Sequence, residues 1–200
     1  MTLLLEPTAR VSSSPDIIDA VRDPDCNLAI WQRDSVPGAE ELAGEELGEI
    51  RFSAALSSLE ARLANELDAA SYPAGATREA LTTDILDLAQ RFAAMMELDS
   101  VQVRLGIVTT NSCRKFHEDY VKARLITTYA GTGTQWIDAA DAARVAEGGE
   151  PQAIQTLGAG DVGLFKGKMW SGSPAIHRSP PIADTGERRL LLVLDSSRNR

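Results

Sequence analysis

The chain carries two histidines, His117 and His177, and both stand where they could do chemistry. The first lies in Cys113-Arg-Lys-Phe-His117-Glu-Asp119-Tyr120. On a strand, positions 117 and 119 share a face, and Phe116, Glu118 and Tyr120 take the other. An imidazole and a carboxylate side by side can hold one metal ion. Two protein donors make a poor site, so a third must come from elsewhere, and His177 is the other histidine. The plainer alternatives are a hydrogen-bonded surface pair for His117 and Asp119, and a core or loop place for His177. The rigid, polar turn Arg178-Ser-Pro-Pro181 that follows His177 favours a ligand role.

Two histidines and one carboxylate form the facial triad of non-haem iron(II) oxygenases, which leaves positions open for a bidentate cosubstrate and dioxygen. Further along come Arg188 and Arg189, at the start of the apolar run Leu190 to Leu194. By composition that run is a buried strand. An arginine entering such a core needs an anionic partner, because an unpaired buried charge is costly. A dicarboxylate such as 2-oxoglutarate would supply one through a guanidinium–carboxylate pair. Adjacent residues on a strand face opposite ways, so one arginine takes this role. Arg189 abuts the apolar run, which favours it, but spacing leaves both open.

Other signals are weaker. Cys113 could join the triad in a closed tetrahedral zinc site. On a straight strand it shares the face of His117 but stands ~13 Å away, so a bend would be needed, and a small buried residue is the plainer expectation. Trp136 and Trp170 read as core residues before pocket walls. Lys166 is either a surface lysine or a contact to an acidic substrate. Gly131-x-Gly133 is no nucleotide loop, since no strand–turn–helix unit surrounds it. No G-x-S-x-G elbow supports a serine hydrolase.

These residues need a scaffold. Before residue 100 the chain is rich in Ala, Leu and Glu. Ser14-Pro15 predicts a capped helix through Val21, Asn27 to Arg33 a strand, and Gly38 to Gly48 a short helix or loop. Leu56, Leu59, Leu63 and Leu67 mark one face of a helix over 53–70. Leu81, Ile85, Leu88, Phe92 and Met96 mark another over 77–97. From Val101 the period becomes two, and short strands are expected near 101–107, 114–120, 123–130, 134–137, 153–157, 161–165, 174–178 and 188–195. Many short strands with Gly and Pro punctuation suggest a sandwich or barrel. The expected fold is α+β: a double-stranded β-helix, cupin- or jelly-roll-like, over 100–196, with a helix-rich region 1–99 packed on its outside. The Arg198 to Arg200 tail is expected to fray.

Composition narrows the function. Of 200 residues, 44% are hydrophobic and 24% charged, with a net charge of −9. Such a chain repels nucleic acid and anionic membranes as general partners, although a local basic pocket remains open to it. Two distant cysteines, Cys26 and Cys113, suggest no disulfide framework. The opening MTLLLEPTAR lacks a basic n-region, and a cytoplasmic location is the expectation.

The stretches His117-x-Asp119, Arg124-Leu-Ile-Thr-Thr-Tyr129, Gly160-Asp-Val-Gly-Leu-Phe165, His177 and Gly186-Glu-Arg-Arg189 resemble the core of iron(II)/2-oxoglutarate dioxygenases, in the order of the prolyl-hydroxylase-like branch. That resemblance implies His117, Asp119 and His177 as iron ligands. It implies Arg188 or Arg189 for the far carboxylate of 2-oxoglutarate, with a hydrogen bond from Tyr129 or Thr127. The strings Cys-x-x-Phe-His-x-Asp, Thr-Tyr-x-Gly-x-Gly-Thr-x-Trp136, Lys166-Gly-x-x-Trp170 and His177-Arg-Ser-Pro-Pro181 resemble an uncharacterised bacterial domain family. Its members are associated with zinc-limitation genes, which keeps Zn(II) in view. Three readings follow. The first is an Fe(II)/2-oxoglutarate oxygenase acting on a small-molecule or protein substrate. The second is a cupin-like hydrolase or isomerase using Zn(II) or another divalent ion. The third is a non-catalytic protein of metal homeostasis.

Overall fold

A computed structural model of the chain describes residues 8–196; the opening apolar run and the basic tail lie outside them. Strands β1 (Thr8–Ser12) and β2 (Cys26–Trp31) flank a 3-10 helix, Pro15–Arg22, whose Ser14 side chain accepts from the Asp16 amide. Helix α1 (Ala39–Gly44) leads to β3 (Ile50–Ala55) and a short 3-10 turn, Leu56–Ser58. Helices α2 (Leu59–Ala69) and α3 (Ala76–Met96) follow. Their leucine faces are buried, as the spacing predicts. The stretch 53–55 is strand instead of the start of α2. Ile50 and Phe52 alternate inward there, and Arg51 between them hides the pattern.

The second half contributes β4 (Ser100–Val108), β5 (Ala123–Ala130), β6 (Gln135–Ile137) and α4 (Ala139–Ala146). It ends with β7 (Gln155–Thr156), β8 (Val162–Lys166), β9 (Ile176–Arg178) and β10 (Arg189–Ser196). Residues 114–120 are not the expected strand. They form a loop that touches the sheet through a single bridge at His117.

One sheet has seven strands in the order β1-β2-β8-β5-β10-β4-β3, and a smaller one has the order β7-β6-β9. The large sheet therefore takes three strands from before residue 100 and four from after it. The region 1–99 supplies part of the sheet as well as the helices beside it. Alternation along the strands divides two cores. Leu190, Leu192 and Leu194 of β10 turn toward α2 and α3, with Val101 and Val103 of β4. Leu191 and Val193 turn the other way, with Ile126, Phe165 and Leu157, and Trp136 of the small sheet packs against them. The small sheet thus packs on this second face, and His177 of its β9 lines one cleft with Leu191 and Val193.

Candidate metal centre and its cationic cleft

His117 and His177 face each other across an antiparallel bridge. The His117 amide donates to the His177 carbonyl at 3.0 Å, and the His177 amide donates back at 3.1 Å. Residues opposed in this way point their side chains to one side, and the two rings lie 4.7 Å apart. Asp119, two residues on, turns into the same space. One ligand atom from each of His117, Asp119 and His177 falls within 4.8 Å of the others. The structure thus brings these three side chains together, with a loop and not a strand carrying the first two.

The hydrogen bonds around the triad fix which ring nitrogens face inward. His117 Nδ1 lies 2.9 Å from the Lys115 carbonyl, and His177 Nδ1 lies 3.3 Å from that of Ala175. A carbonyl only accepts, so each Nδ1 carries the proton and each Nε2 keeps its lone pair. Those lone pairs face Asp119, with His177 Nε2 at 3.3 Å from Oδ2 and His117 Nε2 at 3.9 Å from Oδ1. Oδ2 is buried and has no hydrogen-bond donor among the described residues. Left so, such an oxygen costs about 1–3 kcal/mol. Burial pushes the Asp119 carboxyl up. The His177 ring against it, with the Arg124 guanidinium and the His117 ring beyond, outweighs burial and holds it below its ordinary value. An ionised carboxylate beside two inward lone pairs is a donor set that a divalent metal ion fits.

Asp119 is aimed by its neighbours. Arg124 Nη1 donates to its Oδ1 at 2.5 Å, while the rest of that guanidinium grips Asp195 at 2.8 and 2.9 Å. The backbone at 119–122 is clamped to the stretch after β8. The Lys168 amide donates to the Asp119 carbonyl at 2.9 Å, and the Gly167 amide to that of Lys122 at 2.7 Å. A Cβ at position 167 would overlap the Val121 carbonyl and sit 3.0 Å from the Asp119 oxygen. This close approach explains the glycine of Lys166-Gly-x-x-Trp170. Gly167→Ala should therefore displace Asp119 and lower metal affinity about tenfold, measured by competition with a chelator. An unchanged affinity would mean that this contact does not position the ligand.

The large sheet's site face presents Arg189. Its side chain is fully buried, yet no carboxylate pairs with it among the described residues. Nε donates to the Thr132 carbonyl at 2.5 Å, Nη2 to the Thr128 hydroxyl at 3.2 Å and Nη1 to the Ser179 hydroxyl at 3.4 Å. Burial pushes this guanidinium down to about 10, with Glu187 opposing, so it stays charged at neutral pH. Arg188 turns outward to α1, where it donates to the carbonyls of Ala43 and Glu45.

The expected helpers of Arg189 fall elsewhere. Tyr129 lies on the helix face, where its hydroxyl donates to Asp84 at 2.7 Å. Thr127 pairs with Leu192 and Val162 on that same face. Thr128, opposite Leu191, takes the site-facing place. Gly131-x-Gly133 is the turn that brings the Thr132 carbonyl to Arg189; at Gly131, φ is 80°.

Cys113 is exposed and not buried as expected, because it sits at φ 56° in the loop and not on a strand; it lines the cleft but is not in the triad's donor group. Lys166 is neither a surface lysine nor a cleft residue. It is buried, donating to the Asp23 carbonyl at 3.0 Å with Trp170 6.0 Å away. No helix among the described residues is long and apolar enough to cross a membrane.

A family model described as a protein of unknown function (DUF1826) matches residues 12–195. The chain belongs to that family. No curated protein matches the chain. Among solved structures, AviO1 from Streptomyces viridochromogenes is similar at 16% identity and TM-score 0.42, over 90% of this chain and 93% of that one. A prolyl-4-hydroxylase of Pseudomonas putida is similar at 15% identity and TM-score 0.40, over 84% and 99%. A full-length Neurospora crassa protein in complex with alpha-KG is similar at 12% identity and TM-score 0.38; the match covers 78% of this chain and 56% of that one. At these identities and scores the functional reading rests on the residues of the site.

Proposed function

We propose that the protein is an iron(II)- and 2-oxoglutarate-dependent oxygenase built on a double-stranded β-helix. The observation that carries this reading is the pairing of two unsatisfied groups on one face of the large sheet. One is the His117, Asp119 and His177 donor set, with an orphaned Asp119 oxygen. The other is the buried cation Arg189, which has hydroxyl and carbonyl partners but no carboxylate. A metal ion answers the first and a dicarboxylate the second, and 2-oxoglutarate bridges the two needs.

In this reading His117, Asp119 and His177 hold the metal through the two Nε2 atoms and the carboxylate. Bound Fe(II) with 2-oxoglutarate supplies the activation of dioxygen. The protein does the rest. Arg189 anchors the far carboxylate by a charge-assisted pair, and Thr128 and Ser179 can rotate their hydroxyls toward the anion. The Lys115 and Ala175 carbonyls keep both imidazoles in the metal-binding tautomer. Leu191, Val193 and Ile126 keep the inner wall dry.

Purified protein is loaded with Fe(II) without oxygen and titrated with 2-oxoglutarate, with the visible charge-transfer band of the chelate as the readout. A saturating band is expected. No band, together with tight Zn(II) binding, would overturn the oxygenase reading in favour of a zinc enzyme or a metal-binding protein.

A further inference from the structure

Four arginines, Arg51, Arg104, Arg124 and Arg178, line the triad's cleft in a protein whose net charge is −9. Two are already satisfied. Arg124 is held between Asp119 and Asp195. Arg178 stacks 4.4 Å from the Phe116 ring and donates to Gln135. The other two are not. Arg51 of β3 and Arg104 of β4 are direct cross-strand partners. Like charges placed directly opposite are destabilising. Among the described residues Arg51 has no acid partner, and Arg104 has only a 3.7 Å approach to the exposed Glu49. Gln102, the next residue on the same face, adds an uncharged polar group. The cleft continues past Arg51 and Gln102 into an open groove of about 690 Å³.

We propose that Arg51 and Arg104 form a clamp for an oxyanion, carboxylate or phosphate, carried by the substrate. The clamp rests on the oxygenase reading for its role in turnover, but its anion binding does not. Two guanidiniums opposed across a strand pair converge their N–H donors on one oxyanion, which removes their mutual repulsion. This clamp is distinct from Arg189, which lies deeper on β10 and is buried. One arginine anchors the cosubstrate, and two at the mouth choose the substrate.

The test uses metal-free protein, so that it stands apart from cosubstrate binding. Inorganic phosphate and, separately, benzoate are titrated while the arginine Nε–H resonances are followed by NMR. Saturable shifts with a Kd of about 1 mM are expected for one of the two probes. Stronger binding of phosphate would assign a phosphate-bearing substrate, and stronger binding of benzoate a carboxylate. Arg51→Gln and Arg104→Gln should each weaken that binding about tenfold, while the 2-oxoglutarate titration of the Fe(II) protein stays unchanged. Each variant should also melt no lower than wild type, because it relieves a repulsion. Binding that survives in both variants, no binding of either probe, or a marked fall in Tm in both would overturn the proposal. Failure of the iron chelate band would not touch it.

Discussion

In the His177→Ala protein the Fe(II)/2-oxoglutarate band is lost, and metal affinity falls about a hundredfold or more. Outer partners of metal ligands cost ~10–100-fold when removed, and loss of a ligand itself reaches at least the upper end, ~2.8 kcal/mol. The fold should survive, because the backbone pair between His177 and His117 uses no side chain. An unchanged near-ultraviolet spectrum with the band gone is the expected pair of results. A band that persists in His177→Ala would remove His177 from the site and with it the triad.

The second large effect falls on Arg189→Met. Truncating one side of a desolvated ion pair costs ~2–5 kcal/mol, so 2-oxoglutarate affinity should fall by roughly thirtyfold to several thousandfold. Fe(II) affinity should be nearly unchanged. Stability separates this role from a structural one. Among the described residues no carboxylate pairs with the buried guanidinium, so exchanging it for an apolar side chain of similar length should shift Tm by only a few degrees. Added 2-oxoglutarate at a hundred times its Kd stabilises the Fe(II) wild type by ~2.7 kcal/mol, about 5–10 °C in a domain of this size. The variant should show none of that gain. Equal thermal gains in both proteins would move the anion elsewhere.

The site is more legible in the sequence than the scaffold that positions it. Residue type and scarcity single out the triad, because two histidines and a nearby aspartate leave few combinations. Their carrier is not legible, since residues 114–120 hold one bridge and are otherwise loop. Alternation allows either Arg188 or Arg189 to face inward, and the structure turns Arg188 to the α1 carbonyls. Thr128 is legible by parity along β5, which puts it on the face of Arg124 and Ile126 and puts Thr127 and Tyr129 on the other. Counting in twos from Arg124 reaches it. Helix α4 does carry a signal, because Asp138 accepts from the Asp141 amide and so caps it in the usual way; the sequence reading passes over it. Arg51 and Arg104 leave no mark in sequence at all, because their opposition exists only once β3 pairs with β4.

The reciprocal bond between His117 and His177 also sets when the site comes into being. Between those residues the chain must first lay down β5, the small sheet and β8, two of them central in the large sheet. Contacts so distant along the chain form late, after the loop between them has closed. A half-folded chain therefore offers a passing metal ion the local pair His117 and Asp119 without the third donor, His177. In the proposed function, discrimination among metals would then be deferred to the finished architecture, in which all three donors stand together.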